Sequence, residues 1–449
     1  MNRSAKTAAA LLAAMPLLLA ADPPGGSVLE QVHDGLSDRK SPFGEMGVYE
    51  LDPIFNYLSS YGLTARHDIQ TTTGGSTIGV DNGFINLTSG TGSSDSALLQ
   101  SVRPGIYAAG RSAEAGQGII PKQLPATNSS GYIRWGAYNI NSSGNIGDGS
   151  VAEITDDDND GNLELCFSYY ANSAEKQRRC GIEKASGTVQ SDNNESFNGD
   201  PVPSGFDPFA EGFVSVMAYN WYGIGGVSNR IYYPKENGSG TVGEWDVHTF
   251  VPASGESFSD PNLFLRQEAN AGDSGGVVEL NVGGRRFDVT GKDERDSREV
   301  GAVRVGQSLT DGTLAATVCV RRETEYPAGT GRENTVSALA ENVRILTSGQ
   351  VTYYVSSVAS VSGGTWETAG NTPDDESALE FNTGVTGFGA VKFSTGPLPG
   401  LGSGNNKALL NEGDAALLPL RDTEPLCVLA QGEGATPTVD TYMTMIERQ

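Results

Sequence analysis

Beyond about residue 65 the chain is written in short apolar runs separated by clusters of Gly, Ser, Asn and Asp. Gly83-Phe84-Ile85-Asn86-Leu87, Tyr132-Ile133-Arg134-Trp135, Leu163-Glu164-Leu165-Cys166-Phe167, Phe213 to Trp221, Arg230-Ile231-Tyr232-Tyr233, Trp245 to Val251 and Asn262 to Arg266 are examples. In Trp245-Asp246-Val247-His248-Thr249-Phe250-Val251 the alternation puts Trp245, Val247, Thr249 and Val251 on one face. That period marks a half-buried strand. Many short strands with turn residues between them predict a sandwich or jelly roll. Helical signals are confined to 27–62, in Val28-Leu29-Glu30-Gln31-Val32 and Ile54-Phe55-Asn56-Tyr57-Leu58. After the charged, Gly-rich segment Gly291 to Thr313 a second β series begins: Ala315 to Arg321, Glu341 to Leu346, Gln350 to Val361, Val391 to Phe393 and Leu426 to Leu429. The pattern predicts an all-β chain of two β-sandwich, jelly-roll-like domains with a short N-terminal helical segment. Residues 1–62 are an apolar leader plus a helical or extended arm, 63–309 one sandwich and 310–449 the other. The chain shows no fixed-period repeat of the kind that builds a propeller or solenoid.

The beginning of the chain carries Lys6, an apolar run from Thr7 to Ala21, then Asp22-Pro23-Pro24. Basic start, short apolar stretch and small residues fit a secretory signal; a retained apolar helix that plugs into a partner is the other reading. The apolar run falls short of the roughly 18 residues a membrane span needs. None of the four cysteines lies in a C-x-x-C pair, which argues against a zinc site. Cys166 and Cys180 flank a polar, hairpin-like segment and form either a disulfide or two buried thiols. Cys319 and Cys427 lie in strand-like runs and read as core.

Composition changes the picture in two ways. Gly (59) and Pro (21) favour turn-rich β structure over a helical bundle. The formal net charge of -25, from 30 Lys plus Arg against 55 Asp plus Glu, argues against nucleic acid and anionic membranes as partners. Lys occurs only nine times, at 6, 40, 122, 176, 184, 235, 292, 392 and 407. An acidic, Lys-poor surface suits concentrated salt, where short screening lengths tame self-repulsion; an ordinary acidic extracellular protein is the alternative.

Candidate chemistry is sparse. Asp156, Asp158 and Asp160, followed by Gly161, repeat the first half of a calcium loop, in which alternate carboxylates wrap a hard cation. The twelfth position is Phe167 rather than Glu, so the second half is missing. Apart from this cation no cofactor is implied. Gly272-Asp273-Ser274-Gly275-Gly276 spells the nucleophile segment of a serine hydrolase, and Thr64-Ala65-Arg66-His67 faintly echoes its His segment. His67 lies about two hundred residues upstream, and no Pro follows Gly276, so a Gly-rich turn is the favoured reading. Trp221 and Tyr222, with Tyr169-Tyr170, Tyr232-Tyr233 and Trp366, could form a platform for sugar faces; ordinary core alternation is the competing account. Sequons stand at Asn86, Asn128, Asn141, Asn194 and Asn237.

The stretch Tyr219-Asn220-Trp221-Tyr222-Gly223-Ile224-Gly225 continues through Arg230 to Pro234, Gly243 to His248 and Asp260 to Asn270. It follows Asp81 to Phe84, Arg103-Pro104-Gly105, Gly116-Gln117-Gly118 and the hairpin from Leu165 to Cys180. In this order the pieces resemble the β-sandwich module of tailed-virus virion proteins. Glu333 to Val336 and Arg344 to Leu346 resemble the C-terminal β domain often paired with it. The resemblance spans about 65–445 in ordered weak motifs and departs from the family in the apolar leader and the acidity. It implies a non-enzymatic tail, baseplate, fibre or capsid-surface component, a symmetric oligomer among other virion proteins, facing a host surface glycoprotein or glycan. The acidity would place it in a virus of salt-loving archaea. It carries over no catalytic residue. A secreted carbohydrate-binding surface protein is the alternative, and a hydrolase using Ser274 a minor one.

Overall fold

The computed structural model describes residues 51–107, 111–191, 196–220, 226–235, 242–253, 256–290, 297–327, 329–369, 377–395, 398–400, 408–409, 420 and 424–448. Leu51–Gln449 forms one compact unit. It is built from antiparallel strands arranged as two sandwiches. The helical structure among its described residues is a single 3-10 turn, Ser59–Tyr61.

The first sandwich packs two sheets that are eight-stranded among the described residues. One runs Val242–Phe250, Val227–Pro234, Phe213–Tyr219, Ala113–Gln123, Glu279–Thr290, Phe84–Thr88 and Thr77–Asp81, with Leu51–Tyr57 also paired to Glu279–Thr290. The other runs Thr188–Ser191, Ala174–Ala185, Leu163–Ala171, Ile146–Thr155, Tyr132–Ile140, Phe264–Asn270, Ser96–Ser101 and Asp68–Thr72. Several hairpins close on two residues with positive φ. Asn82 (49°) and Gly83 (84°) are one pair, Ser186 (51°) and Gly187 (82°) another. That turn twists in the sense the strands require. Large rings fill the space between the sheets. Trp135 meets Phe213 edge-on at 5.7 Å, and Tyr219 meets Phe287 at 6.4 Å. Each such ring removed from water contributes about 1.5–3 kcal/mol.

The second sandwich pairs Ser297–Ser308, Thr438–Arg448, Ser337–Thr347 and Ala408–Leu409 in one sheet. Its other sheet holds Glu367–Thr368, Leu379–Asn382, Ala315–Arg322, Leu426–Gly432, Val351–Val358 and Val391–Ser394, with Leu398–Gly400 beside Val351–Val358. Val343, Ile345, Met443 and Met445 face Val320, Val355 and Val428 in its core.

Three expectations change. Ile54 to Leu58 is not helical: Leu51–Tyr57 is a strand on Glu279–Thr290. Phe55 and Tyr57 are buried while Asn56 and Leu58 are exposed, so the period is two rather than 3.6. The rest of the expected helical arm and the apolar leader, 1–50, lie outside the described residues. The change of sandwich falls earlier than 309/310, because Ser297–Ser308 pairs along Thr438–Arg448. The shared face expected for Trp245, Val247, Thr249 and Val251 also breaks. Asn229 pairs with His248 and Arg230 with Asp246, which leaves Val247 as the extra residue of a β-bulge. The bulge flips the phase: His248 and Phe250 turn inward and Val251 is 66% exposed.

Candidate functional site

A polar cavity of about 250 Å³ lies where the first sandwich meets the segment between Ala315–Arg322 and Ser337–Thr347. Asn139, Asp148, Ser259, Asp260, Arg332 and Glu333 are among the residues around it. With Asn172 and Ser173, the lining comes from five stretches of chain, brought together by the strand order rather than by sequence proximity.

Asp148 organises the wall. Its Oδ1 accepts the N–H groups of Asn172 and Ser259, both at 2.9 Å. Its Oδ2 accepts the Ser259 hydroxyl at 2.5 Å and the Asp260 N–H at 3.2 Å. Four donors on one carboxylate hold two loops together with little freedom. Asp260 Oδ1 then accepts the Asn262 N–H (2.9 Å) and Oδ2 the Thr335 hydroxyl (2.6 Å). Burial, aided by the negative charges of Asp148 and Glu333, pushes the Asp260 carboxyl up to about 6.

The second sandwich is clamped on by Glu333. Its Oε1 pairs with Arg266 at 2.7 Å and its Oε2 accepts the Ile140 N–H at 2.9 Å. Arg266 is fully buried, also donates to Gln100 (3.1 Å) and the Tyr138 carbonyl, and stacks over Phe264 at 5.1 Å. One wall group is open to a ligand, and another is a buried acceptor whose demand is unmet. Arg332 is exposed and, among the described residues, makes no ion pair; its guanidinium donates to the Ser259 carbonyl at 3.4 Å. Asn139 is 4% exposed and donates to the Asn262 carbonyl at 2.8 Å. Its Oδ1 is buried with no hydrogen-bond donor.

The residues singled out from sequence fall elsewhere. Asp156, Asp158 and Asp160 sit in the turn after Ile146–Thr155, the far end of that strand from Asp148. Carboxylate oxygens of Asp156, Asp158 and Glu164 lie within 4.8 Å of one another. Asp160 is occupied by Asn162, through its N–H at 2.8 Å and its amide at 2.9 Å. Cys166 and Cys180 form a disulfide across neighbouring strands. Cys319 and Cys427, read as core thiols, form a second one because they lie directly opposite in Ala315–Arg322 and Leu426–Gly432. Trp221 and Tyr222 lie outside the described residues. Tyr169 is core, its hydroxyl on the Glu256 carbonyl at 2.5 Å, and Trp366 lies under Arg321 at 4.3 Å. Ser274 donates to the adjacent Gly275 carbonyl (3.2 Å), while the His67 ring stacks on Tyr57 at 4.3 Å, so neither engages the other. Asn86 spends its amide on Glu279 and Asn281.

The cavity residues escaped the sequence reading. The available signal was Gly147-Asp148-Gly149, a carboxylate between two glycines at a strand start, which announces close backbone approach. Among the described residues no helix is long and apolar enough to cross a membrane.

No protein-family model and no curated protein sequence matches the chain. Among solved structures, it is similar to a legume lectin-like domain from Entamoeba histolytica, at 13% identity and a TM-score of 0.31, over 49% of this chain and 89% of that one. It is also similar to the carbohydrate recognition domain of Emp46p in its potassium-bound form (7%, TM-score 0.33, 53% of this chain and 98% of that one). Lectin II from Ulex europaeus is a third (10%, TM-score 0.33, 53% and 99%).

Proposed function

We propose that this chain is an extracellular carbohydrate-binding β-sandwich protein and that the cavity beside Asn139 takes one sugar ring. The observation that carries the reading is the Asn139 Oδ1: an acceptor sealed from solvent, on the wall of a polar cavity, without a donor. A sugar hydroxyl both donates and accepts, so it would take a hydrogen bond from the exposed Arg332, and a turn of the Asn139 side chain into the cavity would give its Oδ1 a donor. The volume, about 250 Å³, falls just below the range for drug-sized ligands. The wall is held rigid by Asp148, Asp260 and Glu333, which lowers the ordering cost of binding. At a net charge of -25 the protein repels acidic glycans at low salt, so neutral sugars are the expected class. Two disulfides suit an oxidising compartment.

The same fold would serve a virion surface component, the reading that the motifs between Tyr219 and Asn270 carry. The cavity supports glycan recognition in either setting. The test is a glycan array probed with the full chain, followed by calorimetry. A neutral glycan should bind, and Arg332→Ala should weaken it about tenfold, the worth of a hydrogen bond to a charged group. Silence across the array, or binding indifferent to Arg332→Ala, would sink the proposal.

A further inference from the structure

The turn joining Ile146–Thr155 to Leu163–Ala171 concentrates negative charge where water is scarce. Asp156 is 4% and Glu164 3% exposed, and one carboxylate oxygen from each lies within 4.8 Å of one from Asp158. Buried carboxylates at such distances need compensation. Ion pairs do not supply it: among the described residues no Lys or Arg pairs with any of the three. Arg178, the nearby cation, is committed to Glu153 at 2.7 Å and Asp157 at 2.8 Å. Backbone groups supply a part. Asp156 Oδ2 accepts the N–H of Asn128 (2.6 Å) and of Gly161 (3.2 Å), and Glu164 Oε2 that of Asp157 (2.5 Å). Asp156 Oδ1 receives nothing, although it is sealed from solvent. Oxygens bound to one calcium ion at about 2.3–2.6 Å stand at most about 5 Å apart, and the three carboxylates meet that condition.

We propose that this turn binds a calcium-class divalent cation through Asp156, Asp158 and Glu164, with Asp160 outside the ligand set. The ion offsets two of the three charges and gives Asp156 Oδ1 a partner; loop carbonyls and water complete its shell. It also clasps three loops. Asn128 holds the liganding carboxylate of Asp156, and Ser130, two residues on, is tied to Asp273 by reciprocal hydrogen bonds of 2.9 and 3.0 Å. The sugar cavity lies at the other end of the strand: eight residues of extended chain separate Asp148 from Asp156, about 26 Å. The cation site therefore stands or falls independently of the glycan reading.

Calcium titration of the chelator-stripped full chain tests this, in about 1 M NaCl so that diffuse binding to an acidic surface is screened. The expected result is one calcium per chain and a higher Tm with calcium than without. Asp158 is exposed and its charge faces two like charges, so Asp158→Asn should not lower the calcium-free Tm, while weakening calcium binding at least about tenfold. Asp160→Asn should bind like the wild type. Absence of both heat and Tm shift at millimolar calcium overturns the proposal. So does an Asp160→Asn variant as defective as Asp158→Asn, which would restore the loop read from sequence.

Discussion

Arg266 and Glu333 form a 2.7 Å ion pair between a fully buried guanidinium of the first sandwich and a carboxylate of the segment that leads into Ser337–Thr347 of the second. The guanidinium is flanked by the Gln100 and Tyr138 acceptors and sits in a low-dielectric environment, with the Glu333 carboxylate at its edge. Removing one member leaves an uncompensated buried charge, which costs about 3–5 kcal/mol. Glu333→Gln should therefore lower the denaturation midpoint clearly. Adding Arg266→Met should recover part of the loss, since Gln can still accept from Ile140 and no buried cation remains. Denaturant titration of the two variants checks this; a double variant worse than Glu333→Gln would show that the pair is not the source of the cost.

The two disulfides should contribute unequally. Cys166 and Cys180 are 14 residues apart, Cys319 and Cys427 are 108 apart. In the chain-entropy account a bridge closing about 15 residues contributes about 3 kcal/mol and one closing about 100 contributes about 4.7. All four half-cystines are buried, so Cys→Ala changes at either pair leave comparable packing defects. The Cys319→Ala/Cys427→Ala protein should melt lower than the Cys166→Ala/Cys180→Ala protein. The reverse order would assign the larger role to local packing of the hairpin.

Two groups give the acid range opposite slopes. His248 is held down to about 4 by burial and the charge of Arg179; its Nδ1 accepts the Asn198 N–H at 3.2 Å. Its folded value lies below the ordinary 6.5, so its share of stability is full above pH 6.5 and is lost as pH falls toward 4. Asp260 is raised from 3.8 to about 6, so its share is full below pH 3.8 and is lost as pH rises through 6. In Tm profiles, the wild-type advantage over His248→Gln should shrink on acidification from pH 7 to 4. The difference between wild type and Asp260→Asn should move in the wild type's favour over the same range. Profiles parallel to wild type would refute both assignments.

Strands were legible where burial alternates locally, as in Phe84–Thr88 and the first half of Val351–Val358. The bulge at Val247 was not, because an extra residue shows only against the partner strand that lacks it. Ile54 and Leu58 have helical spacing, yet Phe55 and Tyr57 are the residues the sheet buries. The acidic turn was visible as a local run, but Glu164 could replace Asp160 only once the hairpin folded back. The cavity joins Asn139, Asp148, Asp260 and Glu333, spread over nearly two hundred positions. No local motif encodes such a meeting; the strand order does, and strand order is a long-range property.

Salt should stabilise the protein. A net charge of -25 on the chain is self-repulsive, and the Debye length shrinks from about 10 Å at 0.1 M salt to about 3 Å at 1 M. Tm should climb steeply between 0.1 and 1 M NaCl and flatten beyond. A Tm independent of NaCl would detach the acidity from any saline habitat.

The cavity wall depends on a backbone approach that only glycine permits. Gly149, beside Asp148, has φ of 136°, and a Cβ there would lie 2.3 Å from the Ala137 carbonyl oxygen and 2.6 Å from the Tyr138 Cα. These are backbone atoms of the adjacent strand, which ends in Asn139 and Ile140, so they cannot step aside without moving the cavity wall. Gly147, two residues earlier, would meet nothing nearer than 3.6 Å, an ordinary contact. Gly149→Ala should cost about 2 kcal/mol or more through strain and overpacking, and should abolish sugar binding with the loss of register. Gly147→Ala should fold with wild-type Tm and weaken binding by narrowing the cavity it lines. Melting curves and calorimetry on the two variants separate the roles. Full sugar affinity in Gly147→Ala would move the binding site away from this cavity.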